Sequence, residues 1–522
     1  MSEDGLEGIV KELRREIGED LRHSGPWDRG MQCEVERSHL AGAVGTLIAK
    51  HGASMVSMHA TDDRQSRGSF ALHYLLSFPS KRELLMLSGE TDGRFTSLTP
   101  QIYHANWYER EVMDMFGLVA TGHPDPRPLV LHDGWYKGSH PLRKHIGCDD
   151  GLAPERRRYE FNVLKGDGVF EVPVGPVHAG VIEPGHFRFS AAGESILNLE
   201  VHLGYVHRGV EKCLEGAPPG RALRMTERIS GDNGVAHSLA FCQAYEAGHD
   251  VPPRAQYARC ILAELERVYN HLGDIAGLAL DTAFAVPAAD IYALREVMLG
   301  LNARITGHRM LWGAVTLGGT RDLLSEADVD DVQGTLMKVG NELRTSVERM
   351  RSSPSFMDRV DTTGIVEEKV ARDLRVVGPI GRASGQDLDV RRDHPYEAYS
   401  KLNFRVPLFR EGDVSARMNV RVQEVDESIS LVMEALDRMP SGGGSSRPGP
   451  PRDGVHVGLV EAPSGELVHI IHTEGGKVVR HKVRDPSFCN WPAIQEAVLG
   501  DIVPDFPLIN KSFSLSYAGN DL

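Results

Sequence analysis

Three stretches of this 522-residue chain carry side chains that could hold or move protons. The first is Thr226-Glu227-Arg228-Ile229-Ser230-Gly231-Asp232-Asn233-Gly234, a charge pair followed by turn-forming residues. The second is Gly204-Tyr205-Val206-His207-Arg208-Gly209-Val210-Glu211-Lys212, and the third is Ser516-Tyr517-Ala518-Gly519-Asn520-Asp521. Glu227 and Glu211 are proton-relay candidates, and Tyr205 and Tyr517 could donate hydroxyls beside them. His207, Arg208, Glu211 and Lys212 are spaced equally well for a salt-bridged helix face. Two further histidines stand among Pro and Gly, in Gly175-Pro176-Val177-His178 and Glu183-Pro184-Gly185-His186. That punctuation predicts a hairpin with His178 at its tip and a second strand beginning at His186. His237 reads as a satisfied core histidine.

Composition narrows the chemistry. The six cysteines (Cys33, Cys148, Cys213, Cys242, Cys260, Cys489) include no Cys-x-x-Cys pair. Iron–sulfur clusters and structural zinc need about four closely grouped ligands, so these thiols read as scattered core residues. A net charge of −15 with no basic stripe argues against nucleic acid. No run of about 18 apolar residues exists to span a bilayer. The acidic, helical N-terminus is unlike a signal peptide, which points to the cytoplasm. No Gly-x-Gly-x-x-Gly fold is visible, so a nicotinamide cofactor would bind elsewhere.

The elements that must position these residues fall into two domains. Residues 1–25 read as a charged helical arm. Residues 26–154 read as a small α+β domain: a helix over 36–51, then alternating strands near 55–60, 70–78 and 83–87. A short helix over 109–115 follows, with Gly117 as its left-handed terminator. Polar, Gly- and Arg-rich residues 145–170 form a linker, with the boundary near Glu155. Residues 155–522 read as a mainly helical bundle with flanking β-hairpins, its long helices over 254–280, 290–312, 328–350 and 423–439. A Gly/Ser/Pro loop over 441–451 leads into strands near 455–461, 467–472 and 477–483.

Two sets of motifs carry a family resemblance. Glu109-Arg110-Glu111-Val112-Met113-Asp114-Met115-Phe116-Gly117, with Gly122-His123-Pro124-Asp125 and Pro141-Leu142-Arg143-Lys144, resembles the signature of the complex I 30 kDa subunit. The resemblance implies a docking domain without a cofactor. From about Val172 onward the chain resembles the complex I 49 kDa subunit and the large subunit of membrane-bound, formate hydrogenlyase-type [NiFe] hydrogenases. The matching pieces include Gly204-Tyr205-x-His207-Arg208-Gly209-x-Glu211-Lys212, Glu264-Leu265-Glu266-Arg267, Asp389-Val390-Arg391-Arg392 and Val483-Arg484-Asp485-Pro486-Ser487-Phe488.

The hydrogenases hold nickel and iron on four thiolates, because low-valent metals want soft ligands. The resemblance places those positions on Ser230, Asn233, Ser516 and Gly519, so nickel is not expected. Asp485-Pro486-Ser487-Phe488-Cys489 is read as a strand leading to the closing motif, with Cys489 in the core. In complex I the homologous cavity binds a quinone through a histidine and a tyrosine. His178 or His186 could supply the first, with Asp281 as its acidic partner, but the tyrosine position is Gly231. The resemblance also gives Arg228 two readings, a buried partner for a carboxylate or a tuner of a neighbouring cluster.

The resemblance therefore implies an oxidoreductase subunit, inactive alone, in a complex I-like membrane assembly. Its expected partners are an iron–sulfur small subunit, with a [4Fe–4S] cluster, and antiporter-like membrane subunits. Arg228, Glu227, Glu211 and Arg208 are the expected catalytic residues; His178, His186, Asp281 and Tyr205 are the expected quinone contacts. The chain is expected to bind no cofactor of its own, with a quinone as the candidate substrate. The alternatives are a [NiFe] hydrogenase subunit with atypical ligands and a non-catalytic scaffold.

Overall fold

The computed structural model describes residues 5–27, 29–131, 135, 138–147, 159–179, 182–321 and 326–522. The boundary near Glu155 and Cys148 lie outside them.

The first domain opens with α1 (Leu6–Ile17) and then β1 (Leu21–Trp27). β2 (Gly30–Val35), α2 (Arg37–His51), β3 (Ser54–Asp63), β4 (Ser69–Phe78) and β5 (Glu83–Thr91) follow. The five strands form one sheet in the order β1-β2-β5-β4-β3, with β2 and β5 parallel. The expected arm is therefore part of the domain. Leu6, Ile9, Val10 and Leu13 bury the apolar face of α1, and β1 crosses residue 25 to pair with β2. The strands β1 and β2 escape period-two reasoning because their polar residues alternate too weakly.

Short strands β6 (Arg94–Thr96) and β7 (Val119–Thr121) flank α3 (Asn106–Phe116). Charged residues of this helix tie down the neighbouring loops. Glu109 accepts from Ser97 Oγ, Leu98 N and Thr99 Oγ1. Arg110 donates to Arg127 O and Pro128 O, and one Asp114 oxygen takes Leu129 N, Val130 N and Leu131 N. Gly117 ends α3 at φ 68°, and a Cβ there would lie 2.3 Å from His140 Nε2. Only glycine meets both demands.

The second domain begins with the sheet β8 (Val169–Val174), β9 (His186–Ala192) and β10 (Ser195–His202), ordered β10-β9-β8. Helices α4 (Val210–Leu214), α5 (Pro219–Thr226) and α6 (Gly234–Tyr245) surround the first chemical stretch. The bundle is α7 (Pro253–Asp281), α8 (Ala285–Thr306), the small hairpin β11 (Val315–Thr316) and β12 (Gly319–Thr320), and α9 (Glu326–Arg351). Short helices α10 (Pro354–Val360), α11 (Glu368–Asp373), α12 (Gly378–Ala383) and α13 (Val390–Asp393) precede α14 (Val414–Arg438). α14 starts well before the expected 423, because Asp413 caps it through Ala416 N.

β13 (Gly454–Ala462), β14 (Gly465–Glu474) and β15 (Lys477–Arg484) make an antiparallel sheet, followed by α15 (Pro486–Ala497), α16 (Phe506–Phe513) and α17 (Tyr517–Asp521). The expected strand at 485–489 is instead the start of α15. Asp485 accepts from Ser487 N at 2.8 Å as its N-cap, and Pro486 takes the first helical position, which lacks a donor requirement. Cys489 is buried, as expected.

Buried ion pairs fill the middle of the bundle. Glu264 on α7 accepts from Arg391, Arg267, Ser428 and Tyr399, while Arg382 bridges Glu424 and Glu461. Two of the quoted motifs, Glu264-Leu265-Glu266-Arg267 and Asp389-Val390-Arg391-Arg392, are thus largely internal scaffolding.

The two domains share one core, and charge locks the seam. Glu111 on α3 takes Lys482 across the seam at 2.7 Å, and within the second domain Glu211 on α4 holds the same cations, taking Arg480 at 2.8 Å, Lys482 at 3.3 Å and Val483 N at 2.8 Å. Arg480 and Arg484 also donate to the backbone of β3, at Ala60 O and Val56 O.

Candidate functional site

The three chemical stretches converge, and Arg208 is the tie. Its guanidinium donates to Arg228 O at 2.9 Å, Ile229 O at 2.7 Å and Ala518 O at 3.1 Å. The C-terminal helix α17 docks onto the Gly204–Val210 stretch. Arg208 N and Val210 N donate to Leu522 O, and the Asp521 carboxylate takes Gly204 N and Val206 N. Burial pushes Asp521 up to about 6 despite those donors.

Asp485 stands between the first and third stretches. Its Oδ2 accepts from Asn233 Nδ2 at 3.0 Å and bonds His237 Nε2 at 3.2 Å. Ser516 N donates to Ser487 Oγ, and Ser487 N donates to Asp485, so the closing motif reaches the same carboxylate through one residue. At Gly519 an added Cβ would lie 2.7 Å from the Asp485 carboxyl. Burial alone would raise the Asp485 pKa, but the bond to His237 and its other partners outweigh it and hold the group below its ordinary value.

This arrangement tests the fit of a nickel–iron centre. Ser230 and Ser516 offer hydroxyls, Asn233 an amide and Gly519 nothing. Asn233 is committed to Asp485 and Ser464, and Ser516 Oγ caps Gly519 N. The Asp485 carboxyl fills the space a side chain at 519 would need. A donor set without thiolate does not fit low-valent nickel: Asn233 and Ser516 are committed to protein partners, and the buried Ser230 hydroxyl, without a partner among the described residues, is a hard oxygen.

Behind Asp485 runs a chain of rings. His237 Nδ1 meets His469 Nε2 at 2.9 Å, and His469 Nδ1 meets His481 Nε2 at 2.9 Å. All three rings are buried, and burial holds His469 and His481 well below the ordinary imidazole value. Each ring-to-ring bond carries one proton, so the chain has a direction that can reverse. It ends beside the Glu211–Arg480 lock. Glu266 on α7 caps α6, the helix that carries His237, through Val235 N and Ala236 N, with its pKa raised by burial to about 8.

The expected residues divide. Glu227 is buried, accepts from Gly313 N and is raised by burial. Arg228 is half exposed, with its guanidinium 4.7 Å over the Trp312 ring. Arg208 is exposed and structural at the junction. Glu211 points away from Arg208 into the domain lock, where Arg480 and Lys482 overcome the burial cost and hold it ionised. The helical-face pairing of His207 and Arg208 with Glu211 does not form, because α4 begins only at Val210 and the His207 ring bonds Asp521 O.

His178 and His186 turn back onto their own hairpin, meeting Gly185 O and Gly175 O. Asp281 is exposed at the end of α7 and feels Lys511; among the described residues no hydrogen bond joins it to either histidine. Tyr205 packs edge-on against His202. Sequence reasoning missed Asp485, His469 and His481, while His237 is the satisfied core histidine expected, buried with both ring nitrogens bonded. The available signal was polar residues inside otherwise apolar strands, which are buried only when partnered.

The family model for the respiratory-chain NADH dehydrogenase 49 kDa subunit matches residues 281–447 and 445–521, and that for the 30 kDa subunit matches 33–150. Formate hydrogenlyase subunit 5 of Escherichia coli K12 is 33% identical over 504 residues, covering 93% of this chain and 88% of the relative. The chain belongs to the family of fused complex I 30 kDa/49 kDa-like subunits. Hydrogenase-4 component G of the same organism is 32% identical over 509 residues, covering 93% and 87%. The C/D-type fused subunit of NADH-quinone oxidoreductase from Phocaeicola vulgatus is 31% identical over 437 residues, covering 77% and 83%. The family is that of oxidoreductase subunits related to complex I and group 4 hydrogenases. Among the described residues no helix is long and apolar enough to cross a membrane.

Proposed function

We propose that this chain is the coupling subunit of a complex I-like assembly. Electrons arrive from a [4Fe–4S] cluster on a small partner subunit and reduce a small acceptor, a quinone being the candidate, at the junction of the three stretches. Proton movement through Asp485 and His237 then drives ion translocation by membrane subunits. The observation that carries this reading is the buried, hydrogen-bonded Asp485–His237–His469–His481 chain, which starts at the carboxylate bonded to Asn233, one of the positions that hold thiolates in the hydrogenases. An acid–base group held in hydrogen-bond contact with a relay can take up the proton that must follow each electron. Arg208, Arg221, Arg224 and Arg228 line an open groove with Val210 and Met225, a cationic surface suited to an acidic partner near the cluster.

The assembled complex tests this. Reduction of a soluble quinone analogue should proceed with stoichiometric proton uptake in protein free of nickel. Nickel at one per chain, with hydrogen evolution, would replace this reading with an atypical hydrogenase. An assembled complex that passes no electrons to any quinone analogue would favour the scaffold.

A further inference from the structure

Away from that site, the domain seam holds a second group of imidazoles. His59 on β3 and His73 on β4 are direct cross-strand partners, and His472 on β14 meets them from the other domain. One ring nitrogen from each lies within 4.8 Å of the others. The ring centres are 4.8, 5.1 and 4.7 Å apart. A zinc ion about 2.0–2.1 Å from each nitrogen sits about 3.2 Å from each ring centre, so tetrahedral geometry spaces the centres by about 5.2 Å. The observed triangle needs only a small expansion.

The hydrogen bonding fits a cation equally well. His59 Nε2 and His472 Nε2 are 2.8 Å apart, sharing one proton between two rings. An ion in place of that proton would open them to about 3.3 Å. His73 meets Thr61 Oγ1 at 3.1 Å and Ser88 Oγ at 2.8 Å, so whichever nitrogen binds, the other keeps a hydroxyl partner. Such outer partners orient metal-bound imidazoles. His59 Nδ1 is buried with no partner among the described residues. Burial, reinforced by neighbouring rings and cations, holds all three histidines neutral and so ready to ligate.

The surrounding charges allow it. Arg480 and Lys482 face the cluster, but Glu211 and Glu111 pair with them. The cluster borders a cavity of about 460 Å³ lined by Glu34, Asp63, Glu90 and Glu474 as well as Arg67 and Lys144. We propose that His59, His73 and His472 bind a zinc-class divalent cation, with water from this cavity as fourth ligand, stapling β3 and β4 of the first domain to β14 of the second. Three neutral nitrogens and an open position suit Zn²⁺.

The test uses the untagged full-length chain, stripped with chelator and titrated with Zn²⁺. The expected result is one ion per chain and an X-ray absorption spectrum with three imidazole ligands. His59→Gln and His472→Gln should each weaken binding at least about tenfold, while Asp485→Asn keeps it. Retained binding in His472→Gln means an adventitious ion only and overturns the proposal. So does a spectrum without imidazole, or a folded native chain that takes up no zinc. If a variant fails to fold, the spectrum of the native chain decides. The proposal does not depend on the coupling function and would outlive its failure.

Discussion

Replacing Asp485 by asparagine isolates the link between the site and its proton chain. The two side chains have nearly the same shape. Ser487 N keeps its bond to Oδ1, so the α15 cap survives. The new amide group replaces Oδ2, which serves both Asn233 Nδ2 and His237 Nε2. Two bonds to a charged acceptor are lost, each contributing about 1.5–3 kcal/mol. Asn233 retains Ser464, and His237 can accept from the new amide if its proton moves to Nδ1. The net destabilisation is therefore about 2–4 kcal/mol rather than the full sum. The same rearrangement reverses the polarity of the His237–His469–His481 chain.

Loss of the proton group should slow proton-coupled quinone reduction by about 10²–10⁴-fold. Urea unfolding of the full-length chain measures the first quantity, and proton uptake with quinone-analogue reduction in the assembled complex measures the second. The pH dependence has a defined sign. Asp485 is depressed in the fold, so its stabilisation is present above the ordinary aspartate pKa of about 3.9 and fades as pH falls through the lower folded value. The gap between wild type and variant should narrow in acid. Turnover within about twofold of wild type in a complex of native composition would refute Asp485 as the proton group.

Other perturbations separate scaffold from site. Glu211→Gln leaves Arg480 without its carboxylate in the buried seam and should cost about 3–5 kcal/mol, read as earlier unfolding in urea. Little change would mean that the lock is not under load. Gly519→Ala forces a methyl group to within 2.7 Å of Asp485 and should cost about 1–3 kcal/mol, which thermal unfolding detects. Glu466, buried between Arg375 and Arg484, is lowered from 4.5 to about 2. It should contribute about 3 kcal/mol above pH ~4.5, lost as pH falls toward 2; acid titration of Glu466→Gln should lack that loss. Asp521 is raised to about 6, so the docking of α17 should weaken as pH rises through that value. Hydrogen exchange at Tyr517–Asp521, corrected for intrinsic rate, should increase there in wild type but not in Asp521→Asn.

What the sequence by itself determined was local or compositional. Gly117 after Phe116 marked the end of α3, the period-two runs marked β3, β4 and β5, and the long apolar stripes marked α7 and α9. The absence of thiolates at Ser230, Asn233, Ser516 and Gly519 needed only the residues and the family resemblance. The tertiary structure decided which charges meet. Glu211 and Arg208 are close in sequence, yet one enters the domain lock and the other ties the site together, because α4 starts between them. Asp485, His237, His469 and His481 come from separate elements, and no spacing within the chain joins them. His59, His73 and His472 likewise lie across two domains. Periodicity reports which face of an element is apolar; what a buried polar group bonds to is settled only when the elements pack, since that packing removes water and leaves each donor to find a protein partner.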